Sequence, residues 1–445
     1  MIYKNSRSPI FYAVVLFMNL IIHDSQAQIK LEQHINLLTS PEFKGRCHLY
    51  GGADSTANYL SNIYQIIGLS ALEPDFRQSF SITAFGRISN KSSITMDDKR
   101  YVIWDDFAVN PYLINWNQGQ FLGEYQLYPF YKNDSVFLYR NSDSKDCLVR
   151  TRLTKELQEF KILVEGDTLA DRFFGRKHIT ACLSNYMYKP DIILNPSPSM
   201  SRKLKRMAKN NAKATIKETV TINILRDASN YVCHNIVGQL ATKANLDSTI
   251  IITAHYDHLG QGLTTYYPGA NDNASGVSVM LEVASRLSKA VSQGWDPGYN
   301  IVFVAFGAEE YGLLGSEYFV ESGLVDTSMI KCVLNLDMVG GLGTDLKDRA
   351  KALYLLQSDN VSQHCLQALL KADEKNTGVD FVLDGNPKYL KYSDQSSFIR
   401  RQIPSLFLFS GEDGVIHTVN DTSDLLDFEK MESLVEVLTD WIRSY

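Results

Sequence analysis

Several features that would assign the chain to a simple class of protein are missing from its sequence. The six cysteines are scattered without a CxxC pair, which excludes a dense disulfide scaffold, while isolated disulfides and buried free thiols both fit the spacing. The net charge of −6, with no basic stripe interleaved with aromatic residues, gives no indication of a nucleic-acid partner. Neither a GxSxG turn nor an HExxH helix occurs, so the motifs of nucleophilic serine hydrolases and of thermolysin-type zinc sites are absent.

The amino terminus has the layout of a secretory signal peptide. Two basic residues precede an apolar run over residues 9–22, and the small residues Ser25 and Ala27 follow it. We therefore expect residues 1–27 to be removed and the mature chain, beginning near Gln28, to be secreted or periplasmic, with no stable membrane insertion after cleavage. An uncleaved membrane anchor is the alternative, but the apolar run is short for one, and no later run is long enough to span a bilayer.

The 445-residue chain is long enough for two structural units or for one large α/β domain with an insertion. Residues 28–72 are predicted to form two helices joined by a loop. Residues 73–227 are richer in aromatic and charged residues, and the runs FSITAFGRI, KILVEG and ATIKETVTINIL predict strands there. We therefore predict one domain built from residues 28–72 and 228–445, interrupted by a smaller β-rich region over residues 73–227.

Five continuous apolar runs in the carboxy-terminal part predict strands buried on both faces, as in a mostly parallel sheet. These runs lie in STIIITAH, YNIVFVAF, IKCVLNLD, KALYLLQ and IPSLFLF. Helical patterns alternate with them, in GVSVMLEVASRLSKA, LLGSEYFVES, SQHCLQALLKAD and FEKMESLVEVLTDWI. The alternation predicts an α/β fold in which helices flank a mostly parallel central sheet.

Imidazole and carboxylate side chains follow the points where these predicted strands end. They are His255 and Asp257 after the first run, Glu309 and Glu310 after the second, Asp337 after the third and His417 after the last, with Asp272 in the stretch GANDNASG. Sites in open α/β sheets form beyond the carboxyl ends of the strands, so these side chains are expected to converge. Carboxylates cannot crowd together in a low-dielectric cleft without a cation, and imidazole and carboxylate ligands without thiolate suit Zn²⁺ or a similar divalent ion.

Five short motifs occur in order along the carboxy-terminal part. They are AHYDHLG, GANDNASG, FGAEEYGLLGS, NLDMVG and HTVNDT. In order and spacing they resemble the M28 family of zinc exopeptidases, the di-zinc aminopeptidase group, and the amino-terminal LLTSPEFKGR resembles the family's opening. The resemblance implies a zinc-exopeptidase, phosphorylase/hydrolase-like fold, two Zn²⁺ ions per chain, and a secreted metallo-aminopeptidase acting on peptides with a free N-terminus.

The resemblance also implies which residues would hold the two metal ions. His255 and Asp337 would bind one ion, and Glu310 and His417 would bind the other. Asp272 would bridge both ions, because its two carboxylate oxygens can each hold one of them.

Three neighbouring residues would support the chemistry without binding metal. The resemblance implies that Glu309 is the general base, which takes a proton from a zinc-activated water and passes it to the leaving amine. Asp257 is expected to hold His255 in the correct tautomer, and His258 is expected to be a structural or supporting residue. The family often has Ser-Asp-His where this sequence has SDQ, with Gln395 in third place, and these residues are expected only to support the site.

Several alternatives to the aminopeptidase stay open. One is a mono-zinc enzyme similar to glutaminyl-peptide cyclotransferases, another is a carboxypeptidase of the same group, and a third is a catalytically inactive binding protein that kept the fold. The presence of every expected ligand and of the base favours the two-zinc hydrolase. Residues 73–227 match no pattern of the family, and we expect a lid or a degraded protease-associated domain there.

Overall fold

The fold is described from a computed structural model of the chain. It describes residues 30–88, 91–96, 98–102, 107–109, 120–132, 135–139, 147–152, 192–210, 218–240, 247–260, 266–349, 351–374 and 378–445. The predicted signal peptide and the KILVEG run lie outside the described residues. Among those that are described, no helix combines the length and the apolar composition that crossing a membrane requires.

A mixed β-sheet runs through the described part of the chain. Its strands are β1 (Ser70–Ala71), β2 (Arg77–Ile88), β3 (Ser93–Met96), β4 (Lys99–Val102), β5 (Phe107–Val109), β6 (Gln120–Lys132), β7 (Ser135–Tyr139), β8 (Cys147–Arg152), β9 (Ile192–Pro196), β10 (Glu218–Gln239), β11 (Thr249–His255), β12 (Asn300–Phe306), β13 (Ile330–Asp337), β14 (Ala352–Gln357), β15 (Asp380–Val382) and β16 (Ser405–Phe409). The central part has the order β15-β14-β16-β13-β11-β12-β10. Strand β11 pairs in parallel with β12 and β13, and β13 pairs in parallel with β16. Antiparallel pairing occurs where β14 meets β16 and where β10 meets β12.

Helices cover both faces of this central sheet. They are α1 (Leu31–Leu38), α2 (Gly52–Ile66), α3 (Pro198–Asn210), α4 (Gly276–Ser292), α5 (Leu314–Ser322), α6 (Gln363–Asp373), α7 (Gln395–Ile399) and α8 (Phe428–Ser444). Alternate residues of β11 point to opposite faces, so Ile250 and Ile252 pack in the core with α1, α2, α4, α6 and α8, while Ile251 packs with α5 and α7. The predicted α/β fold with a mostly parallel central sheet is therefore confirmed.

The five apolar runs form strands because they can be covered on both sides. All seven residues of β11 are buried, and in β13 only Lys331 is exposed. Polar side chains appear where the strands end, which brings the predicted site residues to one edge of the sheet. Within the described ranges, Cys47, Cys233, Cys332 and Cys365 are buried and form no disulfide.

The β-rich region joins the central sheet through one long strand. Residues 236–239 of β10 pair with β12, and residues 218–225 of the same strand pair with β6. Strand β2 pairs with the middle of β10. Strand β10 continues through residue 228, with a shift of its register against β2 between Arg226 and Ala228. The boundary predicted there therefore falls inside a strand, and the division into domains stays a prediction.

Candidate metal centre

The predicted ligands lie at the carboxyl edge of the three adjacent parallel strands. His255 is the last residue of β11, and Asp337 is the last residue of β13. The turn after β12 carries Glu309 and Glu310, and a π-helical turn before α4 carries Asp272. Parallel strands end at the same edge, so chain segments far apart in sequence meet there.

The two carboxylate oxygens of Asp272 face two different groups of side chains. Its Oδ1 lies 3.4 Å from Nε2 of His255, which is also 3.3 Å from Oδ1 of Asp337. Its Oδ2 lies 3.1 Å from Nε2 of His417, which is also 3.3 Å from Oε2 of Glu310. The structure thus brings all five predicted ligands together, with Asp272 between the two pairs.

The donor atoms fit divalent metal ions. Candidate ligand atoms form two groups, and within each group they all lie within 4.8 Å of one another. One group comes from His255, Asp272 and Asp337, and the other from His258, Asp272 and Glu310. The carboxylates are largely withdrawn from water, with side-chain exposures of 5% for Asp272, 8% for Glu310 and 12% for Asp337. Several buried carboxylates at one point require positive charge to offset their repulsion, and two divalent ions would supply it.

Glu309 and Glu310 differ in their affinity for protons although they are neighbours in sequence. Burial raises the pKa of Glu309 well above its ordinary value. Repulsion from Asp394 also raises this pKa, while attraction to His255 lowers it by less. Burial also acts on Glu310, but the attraction of His417 and hydrogen bonds outweigh it and hold the pKa of Glu310 well below its ordinary value. Paired carboxyl groups with separated pKa values are typical of sites that divide proton transfer from charge stabilisation.

His258 lies closer to the metal centre than the sequence indicated. The residue is 1% exposed, and its Nδ1 lies 2.9 Å from Oε1 of Glu310 and 3.7 Å from Oδ2 of Asp272. It therefore contacts a predicted ligand directly, and Oε2 of Glu310 remains available on the side of His417.

Asp257 is placed differently from the sequence expectation. Its carboxylate accepts hydrogen bonds from the backbone N–H groups of Glu309 and Glu310, at 3.0 Å and 3.2 Å. Nδ1 of His255 lies 3.3 Å from the main-chain oxygen of Asp257, so this oxygen, and not the carboxylate, is positioned to fix the imidazole tautomer. The contact with the His255 ring is thus made by the main chain of Asp257, while its carboxylate accepts from the amides of Glu309 and Glu310.

The asparagines that flank Asp272 attach its loop to the segment after β13. Oδ1 of Asn271 accepts from the amides of Gly340 and Gly341 at 3.0 Å and 2.8 Å. Oδ1 of Asn273 accepts from the amide of Met338 at 3.2 Å. These bonds couple the loop that carries Asp272 to the strand end that carries Asp337.

Asp421 was not identified from the sequence, although it lies in the quoted motif HTVNDT. The residue is 0% exposed, and its carboxylate accepts from the amides of Asn271 and Asp272 at 2.8 Å and 3.0 Å. Arg46, in the opening segment, was also missed, and it donates to the main-chain oxygen of Asp272 at 3.1 Å. Neither residue belongs to the predicted ligand set. The only signal for them in the sequence is that each lies in a motif that resembles the family, Asp421 in HTVNDT and Arg46 in LLTSPEFKGR.

Gln395 belongs to a polar network beneath the site. The Nδ2 group of Asn335 donates to Oε1 of Gln395 at 2.7 Å and to Oγ of Ser393 at 3.0 Å, and Oγ1 of Thr253 donates to Oδ1 of Asn335. Nε2 of Gln395 donates to the main-chain oxygen of Tyr389. Both ends of the Gln395 amide are engaged, which agrees with a supporting role.

The backbone adopts left-handed conformations at or beside several site residues. Ala308, which precedes Glu309, has a φ of 61°, Met338, which follows Asp337, has a φ of 54°, and His417 itself has a φ of 58°. Residues other than glycine adopt such angles at a cost and persist there only where the surrounding structure imposes them. Several are found at one small site here, which is typical of a functional centre.

The fold and this cluster define an α/β protein with a candidate two-metal centre at the carboxyl edge of its sheet. Residues 235–442 match the model of peptidase family M28, so this part of the chain is similar to that family.

Named relatives share only part of their length with this chain. It is 37% identical over 153 residues to aminopeptidase YwaD of Bacillus subtilis, an alignment that covers 34% of this chain and 30% of that protein. It is 30% identical over 194 residues to leucine aminopeptidase 1 of Ajellomyces capsulatus, covering 42% of this chain and 49% of that protein. The chain therefore spans less than half the length of either relative.

Two solved structures share the fold over most of the chain. The aminopeptidase from Aneurinibacillus sp. strain AM-1 has a TM-score of 0.58 at 18% identity and covers 93% of this chain and 92% of its own. The zinc aminopeptidase BSAP from Bacillus subtilis has a TM-score of 0.55 at 21% identity and covers 93% of this chain and 95% of its own. The overall fold is therefore shared.

Proposed function

We propose that the protein is an exported zinc-dependent aminopeptidase with two Zn²⁺ ions per chain. The observation that carries the proposal is the position of Asp272, whose two oxygens face the His255–Asp337 pair and the Glu310–His417 pair separately. A carboxylate in this position is what a two-metal site requires. The aminopeptidase names of the relatives support the reaction class.

The imidazole nitrogens and carboxylate oxygens form a ligand set that suits zinc. His255 and Asp337 would hold one ion, and Glu310 and His417 the other, with Asp272 shared. When bound, the two ions would lower the pKa of a water molecule and stabilise negative charge on the carbonyl oxygen of the substrate.

The protein's own residues would then move the protons. Glu309 adjoins the ligand Glu310 in the turn after β12, and a carboxylate there can accept a proton in one step and release it in the next. It would take that proton from the attacking water and deliver it to the nitrogen of the departing peptide. Asp257 holds the backbone amides of both glutamates and so fixes their position relative to the site.

A free amino terminus is the feature by which the substrate would be recognised. Carboxylates around the site are suited to accept hydrogen bonds from a protonated amine. Acetylation removes that charge, so an N-acetylated peptide should not be turned over. An endopeptidase would make little distinction between the two substrates.

A direct test uses a panel of aminoacyl-chromogenic substrates and their N-acetylated counterparts, with and without a chelator. We expect turnover of the free substrates only, loss of activity after chelation and recovery on addition of Zn²⁺. Comparable rates on free and blocked substrates would exclude the aminopeptidase.

Two variants separate the base from the bridge. Glu309→Gln should retain both zinc ions while kcat falls by about 10²–10⁴, because only proton transfer is lost. Asp272→Asn should lower zinc content as well as activity, because the bridging carboxylate is removed. Glu412→Gln, at an exposed position, is the matched control and should change neither quantity. Loss of zinc in Glu309→Gln with full zinc in Asp272→Asn would reverse the assignment.

A further inference from the structure

Arg46 is a fully buried arginine behind the metal centre, and it makes its contacts entirely with main-chain carbonyl groups. It is 0% exposed. Its Nε donates to the oxygen of Tyr256 at 2.9 Å, and Nη1 donates to the oxygens of Leu38 and Pro268 at 3.0 Å and 2.6 Å. Nη2 completes the set, donating to the oxygens of Gly269 and Asp272 at 2.8 Å and 3.1 Å. An arginine has five N–H donors, and all five are engaged.

The backbone around Arg46 docks against the same segments. The oxygen of Arg46 accepts from the amide of His258 at 3.2 Å, and that of Gly45 accepts from the amide of Gly260 at 3.0 Å. A Cβ atom on Gly45 would lie 2.1 Å from the oxygen of Gly260, and one on Gly269 would lie 2.6 Å from Nη2 of Arg46. The close approach of these two backbone segments therefore requires glycine at positions 45 and 269.

These contacts join the amino-terminal segment to the two stretches that carry metal ligands. One stretch follows His255 at the end of β11, and the other ends at Asp272. Burial lowers the pKa of Arg46 to about 10, opposed by the attraction of carboxylates that include Asp272 and Asp421, so the side chain stays charged at neutral pH. The charge is retained where five carbonyl oxygens solvate it.

We propose that Arg46 is a positioning residue for the metal centre, which holds the main chain of the Asp272 loop so that the carboxylate faces both metal positions. The inference rests on the proposed function and adds to it a residue that binds neither metal nor substrate. Asp421 holds the amides of the loop from one side, and Arg46 holds its carbonyl groups from the other.

Lysine at this position tests the inference because it keeps the charge and offers three donors in place of five. We expect Arg46→Lys to weaken zinc binding by about 10- to 100-fold, the range found when residues that orient ligands are replaced. Zinc affinity is measured by competition with a chromogenic chelator, in the absence of substrate.

A loss of stability alone must be distinguished from a loss of positioning. Leu438→Ala in α8 serves as the matched control, because Leu438 is fully buried in the core and lies on a helix that carries none of the predicted site residues. Urea unfolding of both chelated variants establishes the comparison. Weaker zinc binding in Arg46→Lys than in Leu438→Ala, beyond any difference in stability, supports the inference. Equal zinc affinity in Arg46→Lys and wild type, or an equal loss in both variants at matched stability, would overturn it.

If Arg46→Lys yields no folded protein, Arg46→Gly replaces it, since glycine suits the φ of 50° at this position. Methylguanidinium at non-denaturing concentration should then restore zinc affinity, whereas urea at the same concentration should not. Failure of methylguanidinium to restore affinity in folded Arg46→Gly would count against the inference. Wild-type peptide hydrolysis is measured in parallel, so a protein that binds zinc without hydrolysing peptides would refute the proposed function and leave the test of Arg46 intact.

Discussion

Removing the Asp421 carboxylate should loosen the loop that carries Asp272 before any metal is bound. Asp421 is 0% exposed and accepts two backbone hydrogen bonds, at 2.8 Å from the amide of Asn271 and at 3.0 Å from that of Asp272. In Asp421→Ala both amides lose their partner inside the protein. Each buried donor left without a partner costs about 1–3 kcal/mol, so the gross cost is about 2–6 kcal/mol.

Part of this cost is offset, because the carboxylate is itself unfavourably placed. Burial raises the pKa of Asp421 to about 6, which means that its charged form, although it still predominates at neutral pH, is less stable in the folded protein than in water. Alanine removes that penalty together with the hydrogen bonds. We therefore expect the free energy of unfolding to fall by about 2–3 kcal/mol, the lower part of the gross range.

The assay is equilibrium unfolding in urea of the chelated protein, followed by a zinc titration of the refolded variants. Chelation keeps zinc binding from contributing to the measured stability. The control is Asp424→Ala, at an exposed position of the same segment, where we expect a change within about 0.5 kcal/mol. Equal stabilities of Asp421→Ala and Asp424→Ala would refute the reasoning, because the two amides would then be satisfied without the carboxylate.

Two further predictions concern the second metal position and the removal of the signal peptide during export. His258→Gln should keep two zinc ions per chain, as measured by elemental analysis. Zinc affinity should fall about tenfold, because Nδ1 of His258 orients Glu310. A drop to one ion per chain would instead make His258 a ligand. Protein recovered after export should begin near Gln28 by N-terminal mass spectrometry, because a signal peptide is predicted over residues 1–27, and an exported chain with Met1 intact would contradict this.

The strands and their terminal side chains were predictable because their signals are local. A buried parallel strand needs apolar residues at every position, so runs such as TIIITA in β11 are recognisable without a partner. The residue that follows such a run lies at the carboxyl edge of the sheet wherever the strand is placed in the order. That rule was enough to place His255 and Asp337 together before the pairing of β11 and β13 was known.

The residues that hold the site were harder to predict because their partners are backbone groups. Nothing in the side chain of Arg46 indicates that five carbonyl oxygens from three separate segments surround it, since a carbonyl group is present at every position of the chain. Asp257 was predicted to hold His255 in the correct tautomer. Its main-chain oxygen lies 3.3 Å from Nδ1 of His255, whereas its carboxylate accepts from the amides of Glu309 and Glu310. Sequence patterns indicate which side chains carry chemistry, and they contain little about which main-chain groups those side chains meet.

The site therefore combines two kinds of order that depend differently on metal. Around Asp272 the backbone amides are held by Asp421 and the carbonyl oxygens by Arg46, and none of these bonds requires a cation. The carboxylates of Asp272, Glu310 and Asp337 instead repel one another in a poorly hydrated space, and divalent cations would offset that repulsion. The hydrogen bonds set the geometry of the site, and the metal ions would balance its charge. These two contributions can therefore be tested separately. A variant at Arg46 or Asp421 should change how well the ligands are arranged, whereas a variant at Asp272 changes how much positive charge the arrangement can hold.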